Sequence, residues 1–516
     1  MAGNDLLLLD PDWEVTAGFL EEMAAVLHLH ERHAVVTPRT NSAAFFGLGL
    51  HDVWLKMRAS LPRYQIVPAA GPFCMLIKSE VLERFGLFDN SFASANDQAH
   101  DFTCRINRCG FSALAANRAF VSYREPPFAS EYLRSAVLTE RYPEFDRRIA
   151  EYASFQIDPL ETFPALYAPH KPRILYDLYH LAPQHSGTSD FALNLLREIA
   201  PLISEEYDLY VGAGEGQAFF LPELRGYRLH DEKSDPPMVF DLAYKPCHVF
   251  RWPEFARMNR LAPRVAFTFL DAIAIRCDYI GNAEVRAVVA RTAELSDLVF
   301  TISEFSRSDF AAFYLVEAPM PVIYLGTHAQ PSPREPALGE YLLIMGNALA
   351  HKGVPEAVAH LGGDWPIIVL GGEEKQPQAN IRWQPSGNLS RRFMHDLLSK
   401  ARVLVYPSYY EGYGLPVADA LALGKPVIVL DTDVNREIAR NTGDPNLHRV
   451  RSLKDLRAAV QRLWDEPPHP PNPHPRRWPE TAHEYMAAFH ELVRKDINVE
   501  KLRRRWETIR LVESTG

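Results

Sequence analysis

Residues Val403 to Asp431 read VLVYPSYYEGYGLPVADALALGKPVIVLD. The run VLVY, closed by Pro407-Ser408, is short and wholly apolar, the pattern of a strand buried on both faces of a parallel sheet. Glu411-Gly412-Tyr413-Gly414-Leu415-Pro416 follows as a loop, then a helix carrying Asp419, then PVIVLD as a second buried strand. Strand, helix and strand in that order make a βαβ unit.

The same alternation runs outward from this stretch. RILYDLY, YDLYVGA, RVAFTFL, LVFTIS and PVIYLG read as strands before it, as do YLLIMG and PIIVLGG. FALNLLREIAPLI and EVRAVVARTAELS carry helical patterns between them. The alternation occurs twice, which predicts two doubly wound α/β domains. Prolines mark the joints: DPLETFPALYAPHKP (Asp158–Pro172) separates two patterned regions, and PPHPPNPHPRRWP (Pro467–Pro479) reads as a rigid surface connection. The expected boundaries are 1–157 for a leading α/β segment and 158–172 for a linker. Residues 173–330 and 331–479 are the two domains, and 480–516 is a closing C-terminal helix.

Bulk properties narrow the function. The 516 residues carry 47% apolar side chains and a formal charge of −10. That charge argues against nucleic acid as a partner, because phosphate backbones want clustered Lys and Arg. The five cysteines, Cys74, Cys104, Cys109, Cys247 and Cys277, hold no C-x-x-C pair, which fits a reducing compartment and no structural zinc. MAGNDLLLLD lacks the basic start and long apolar core of a signal peptide. A cytoplasmic protein is expected.

Candidate ligand-binding groups sit where strands end, the position at which open parallel sheets bind ligands. After YLLIM come Gly346 and Asn347, then Lys352-Gly353 at a helix start. Glycine lets backbone approach a ligand, and lysine beside a helix N-terminus suits a phosphate; alone, a solvated turn lysine explains it as well. In the 403–431 stretch, Gly412 and Gly414 free the backbone to present N–H groups, while Glu411 and Asp419 face one cleft and suit sugar hydroxyls. HSGTSD, after RILYDLY, places Gly187 in a turn that reads either as a phosphate-facing loop or as a Ser/Thr helix cap with Asp190 in the first turn.

E-G-Y-G-L-P-V-A-D-A-L-A-L-G-K-P-V-I resembles the signature of family 4 glycosyltransferases. Its companions stand in order: Ser303-Glu304-Phe305-Ser306, then G-N-A-L-A-H-K-G, then WPETAHEYMAAFHELV as the closing helix. The resemblance covers roughly Arg173 to Arg494 and implies a GT-B fold, two Rossmann-like domains facing a cleft, with a retaining transferase needing no cofactor. It implies that Lys352 stabilises the donor diphosphate, that Glu411 and the backbone of Gly412, Tyr413, Gly414 and Leu415 contact the transferred sugar, and that Asp419 holds the ribose. Gly187, Gly346 and Asn347 complete the donor site, and Asp271 joins Lys352 and Glu411 as catalytic. Three positions depart from the family: Asp419 replaces a glutamate, Asn347 an arginine and Leu270 a histidine, leaving His351 and Arg391 as further candidate cations.

The leading residues, LLLLDPDWEV through DFTCRINRCGF, resemble the second half of a family 2 (GT-A) glycosyltransferase. That resemblance implies Mg²⁺ or Mn²⁺ at Asp10 and Asp12 and a catalytic acid near Asp97 or Asp101. The half that would hold the nucleotide is missing ahead of it, so a non-catalytic remnant is expected. The function implied is sugar transfer from a nucleotide-sugar to a glycan or lipid-linked acceptor in bacterial surface polysaccharide synthesis. The alternative is a degenerate, non-catalytic scaffold subunit. A homo-oligomer is compatible with either. Lastly, Val499, Leu502, Trp506 and Ile509 form one stripe of a basic helix. This predicts docking on the protein, with peripheral contact at the inner face of the membrane as the rival.

Overall fold

The computed structural model describes residues 4–42, 47–123, 136–203, 206–214, 219–220, 222–329, 339–371, 379–385, 389, 391–471 and 474–515, the side chains at 391, 392 and 515 excepted. Arg391 therefore lies outside the described side chains. The chain forms two compact units, residues 1–170 with 499–516, and residues 171–498.

The first unit is built on a mixed sheet of β1 (Leu6–Leu9), β2 (Trp13–Val15), β3 (His33–Thr40), β4 (Tyr64–Val67), β5 (Cys74–Ile77) and β6 (Ser112–Tyr123). Their order is β1-β5-β3-β6-β2, with β4 also on β6. CMLI, SEVLERF and Gly86 form strand, helix and a glycine cap at φ +68°, as their residue types predict. LLLL, expected to be buried, lies at the sheet edge, half-buried, with Leu9 exposed.

Two boundaries move. Residues 158–170, expected as most of the linker, belong to this unit: Leu160 and Phe163 are fully buried. Glu161 accepts a 2.8 Å bond from the buried Arg39 guanidinium, whose Nε reaches Asn117 at 2.6 Å. Residues 480–516 are two helices, Trp478–Arg494 and Val499–Thr515. The second belongs to the first unit. Leu502 and Ile509 are buried there, Arg503 pairs with Asp158 at 2.8 Å, and Arg510 donates to the Ser154 and Ile157 carbonyls. Two residues of the stripe, Leu502 and Ile509, are thus spent on protein packing, while Val499 and Trp506 stay half-buried. No helix of the described residues is long and apolar enough to cross a membrane.

The second unit contains two parallel sheets. The first comprises β7 (Arg173–Asp177), β8 (Asp208–Gly212), β9 (Leu229–His230), β10 (Leu242–Lys245), β11 (Val265–Phe269) and β12 (Leu298–Thr301). The second comprises β13 (Tyr341–Met345), β14 (Ile367–Leu370), β15 (Ile381–Gln384), β16 (Ala401–Tyr406), β17 (Val427–Leu430) and β18 (Leu447–Val450). The orders are β12-β11-β10-β7-β8-β9 and β15-β14-β13-β16-β17-β18, the 3-2-1-4-5-6 arrangement of a Rossmann sheet in both. β10, β11, β12, β13, β16 and β17 are buried along their whole length, as strands covered on both faces should be, while β8, β9, β15 and β18 keep half-buried or exposed positions. PVIYLG is the exception among the expected strands; it contributes one bridge, Val322 to Thr301. The helix Trp478–Arg494 crosses back onto the first Rossmann sheet, burying Trp478, Tyr485 and Phe489 in its core. Tyr485 and Tyr244 meet the hydroxyl of Thr268 at 3.1 and 2.6 Å, so this core is closed around a satisfied polar cluster.

Because Leu502 and Ile509 fill the first unit, Leu502→Ala and Ile509→Ala should each cost about 2–5 kcal/mol. Urea denaturation followed by tryptophan fluorescence checks this. A loss below 1 kcal/mol would mean the helix is not part of that core.

Candidate active site

The switch point of the second Rossmann sheet lies between β13 and β16, and both strands end in turns shaped by glycine. At Gly346 a Cβ would stand 2.5 Å from Val354 Cγ2 and 3.3 Å from Lys352 Cβ, so only glycine lets the strand abut the lysine turn. Gly353 is left-handed (φ +61°) and opens the helix Val354–Leu361. The two turns are laced together: the His351 carbonyl accepts the Tyr409 N–H at 2.8 Å. This brings Lys352 Nζ to 2.5 Å from Glu411 Oε1, with both side chains 12% exposed. Tyr406, the last residue of β16, donates its hydroxyl to the same oxygen at 2.9 Å. Burial, and then the Glu411 charge, hold the Tyr406 phenol well above its ordinary range, so it stays a donor.

The cleft has a volume of about 570 Å³, and these groups line it together with Gly346, Asp419, Gly187 and Asp271. Gly187 opens the helix Gly187–Ile203, and nothing lies within 4 Å of where its Cβ would be. Asp271 follows β11; its Oδ1 accepts the Ile273 N–H at 3.0 Å. Its carbonyl accepts the Nε2–H of His248 at 2.8 Å, a ring that burial keeps neutral. Asn347 Oδ1 is turned back to the Leu349 N–H at 2.9 Å, an Asx turn rather than a reach across the cleft. Asp419 accepts the hydroxyl of Thr327, a residue the sequence reading passed over. Leu415 and Tyr413 pack on the core of the first Rossmann domain, and Gly414 is left-handed at φ +103°. His351 is buried, with its Nδ1 on the Tyr279 hydroxyl at 2.9 Å. Burial, with Lys352 adding to it, lowers its pKa, so it adds no cation at neutral pH.

Residues 333–485 match the family model described as glycosyl transferases group 1. That match spans the second Rossmann sheet and the start of the helix Trp478–Arg494. The chain is 26% identical over 253 residues to the O-antigen chain mannosyltransferase B of Escherichia coli, covering 40% of this chain and 66% of that protein. It is 29% identical over 133 residues to the N,N'-diacetylbacillosaminyl-diphospho-undecaprenol alpha-1,3-N-acetylgalactosaminyltransferase of Campylobacter jejuni, covering 24% and 35%. The chain thus spans between 35% and 66% of the length of these two relatives. Among solved structures, the Anabaena protein Alr3699/HepE in complex with UDP and glucose aligns with a TM-score of 0.44 at 13% identity, over 66% of this chain and 98% of that one.

In the first unit, Asp10 and Asp12 are exposed, and Asp10 Oδ1 accepts the Asp12 N–H at 3.0 Å. Among the described residues, no group of three His, Cys, Asp or Glu is placed to hold a metal ion. The two residues form a turn closed by that bond. Asp101 is fully buried and held by Arg105 at 2.8 Å, the Tyr142 hydroxyl at 2.7 Å and Arg141 at 3.1 Å. Asp97 sits in the first helical turn, its N–H capped by Ser94. Both acids are buried.

At Gly412 a Cβ would lie 1.9 Å from the Leu270 carbonyl oxygen. Gly412→Ala should therefore lower stability by about 1–3 kcal/mol, whereas Gly187→Ala, in open space at a helix start, should be neutral or stabilising by up to about 1 kcal/mol. Chemical denaturation of the two variants side by side tests the contrast.

Proposed function

We propose that residues 171–498 transfer a sugar from a nucleotide-sugar to a glycan or lipid-linked acceptor, with retention at the anomeric carbon, in bacterial surface polysaccharide synthesis. The observation that carries this reading is the Lys352–Glu411 pair at the carboxyl ends of β13 and β16. Breaking the anomeric C–O bond leaves a further negative charge on the departing nucleoside diphosphate. Lys352, beside the N-terminus of Val354–Leu361, is the cation placed to neutralise it. Its present partner Glu411 then becomes free to accept hydrogen bonds from the sugar hydroxyls, and Asp419 from the ribose. Asp271 faces the same cleft from the first Rossmann domain and is proposed as the third catalytic residue. Retention rests on the family resemblance. The O-antigen mannosyltransferase among the relatives makes nucleotide-activated mannose the first donor to try.

The first unit is proposed to be a partial GT-A-like module without catalysis, supported by the burial of Asp101 under two arginines and a tyrosine. No step of the reaction is routed through a metal at Asp10 and Asp12.

Slow donor hydrolysis across UDP-, GDP- and dTDP-sugars separates the transferase from a scaffold subunit, which would bind without turnover. Lys352→Ala and Glu411→Ala should each remove most turnover, a loss of at least about tenfold for a charge-assisted contact. Near-normal rates in both variants would refute the site. Asp419→Asn should weaken donor affinity by about 1.5–3 kcal/mol while Asp419→Glu is tolerated, read by isothermal titration; an unaffected Asn variant would remove Asp419 from the donor site.

A further inference from the structure

The loop bearing Glu411 is fastened to the first Rossmann domain at three of its residues. The Tyr410 hydroxyl accepts the Ala272 N–H at 3.1 Å and donates to Asp309, which also pairs with Arg276. The Gly412 carbonyl accepts the hydroxyl of Ser303 at 2.7 Å and that of Ser306 at 3.1 Å. The Tyr413 hydroxyl donates to the Leu325 carbonyl at 3.1 Å. Ser306 Oγ also lies 3.0 Å from the Leu270 carbonyl, so both serines close on the point where the two domains touch. Ser303 and Ser306 are buried, and the two hydroxyls are 3.0 Å apart.

A simpler role for Ser303 is capping of the helix Glu304–Phe313, since its Oγ accepts the Ser306 N–H at 2.9 Å. That helix start has a second cap, however. Glu437 accepts the Glu304 and Phe305 N–H groups at 2.7 and 2.8 Å, and the Tyr324 hydroxyl at 2.8 Å. Capping is shared; the grip on Gly412 is made by the serine hydroxyls.

We propose that Ser303 and Ser306 are positioning residues for Glu411. By holding the carbonyl of the next residue, they set where the Glu411 carboxylate meets Lys352, and they tie that geometry to the first Rossmann domain. Their effect on turnover rests on the transferase reading above; the grip itself does not.

The test uses the full chain with Ser303→Ala/Ser306→Ala and the hydroxyl-preserving Ser303→Thr. Hydrogen exchange without ligand should be roughly tenfold faster at residues 409–414 in the double variant, unchanged over 307–313, and near wild type in Ser303→Thr. In donor hydrolysis, kcat of the double variant should fall about tenfold with KM within about threefold, the pattern of a lost transition-state arrangement. Unchanged loop exchange, equal acceleration of residues 307–313, or a faster loop with unchanged kcat would each overturn the proposal. If the wild type hydrolyses no nucleotide-sugar, the transferase reading fails, and the exchange contrast still decides whether the serines hold the loop.

Discussion

No side chain fits at position 412. The loop between β16 and the helix Leu415–Ala422 passes so close to the end of β11 that a methyl group there would meet the Leu270 carbonyl at 1.9 Å. Two Rossmann domains with separate cores therefore touch backbone to backbone at the centre of their cleft. The same economy recurs at Gly371, where a Cβ would stand 2.2 Å from the Gly346 carbonyl. Close approach of this kind brings strand ends, helix N-termini and short polar side chains within reach of one ligand, which longer residues would hold apart.

Within that frame the electrostatics are simple. Lys352 and Glu411 are largely withdrawn from water, so each charge depends on the other. Taking two charges out of water costs several kcal/mol apiece, and their attraction repays this only with good geometry. The pair is thus weak evidence for stability and better evidence for a site, because a lysine is a point charge that exchanges partners readily. A diphosphate brings more negative charge than a carboxylate, so the exchange favours the ligand. Tyr406 softens it by remaining hydrogen-bonded to Glu411.

Both Rossmann domains were legible in the sequence because parallel strands covered on two faces show up as unbroken apolar runs. Gly346, Lys352, Glu411 and Asp419 were legible as chemistry at strand ends, Gly187 as one of two readings of its turn, and Asp271 only through the family resemblance; the structure brings all six to one cleft. Less legible were features fixed by long-range contact. The short strands β9 and β15 have no distinctive pattern, and PVIYLG satisfies its apolar residues in the core without a full ladder. The bond from Thr327 to Asp419 and the grip of Ser303 on Gly412, 109 residues away, leave no local periodicity. The stripe of the last helix announced an apolar face; its partner, the packed segment around Asp158 and Leu160, looked like a linker because prolines interrupt it.

The most direct test of the account is a hydrogen-exchange footprint of the full chain with saturating nucleoside diphosphate. Protection should concentrate at residues 346–354 and 410–419, the two turns that Lys352 and Glu411 join. Binding with protection confined to other segments, or no binding of any nucleoside diphosphate, would contradict it.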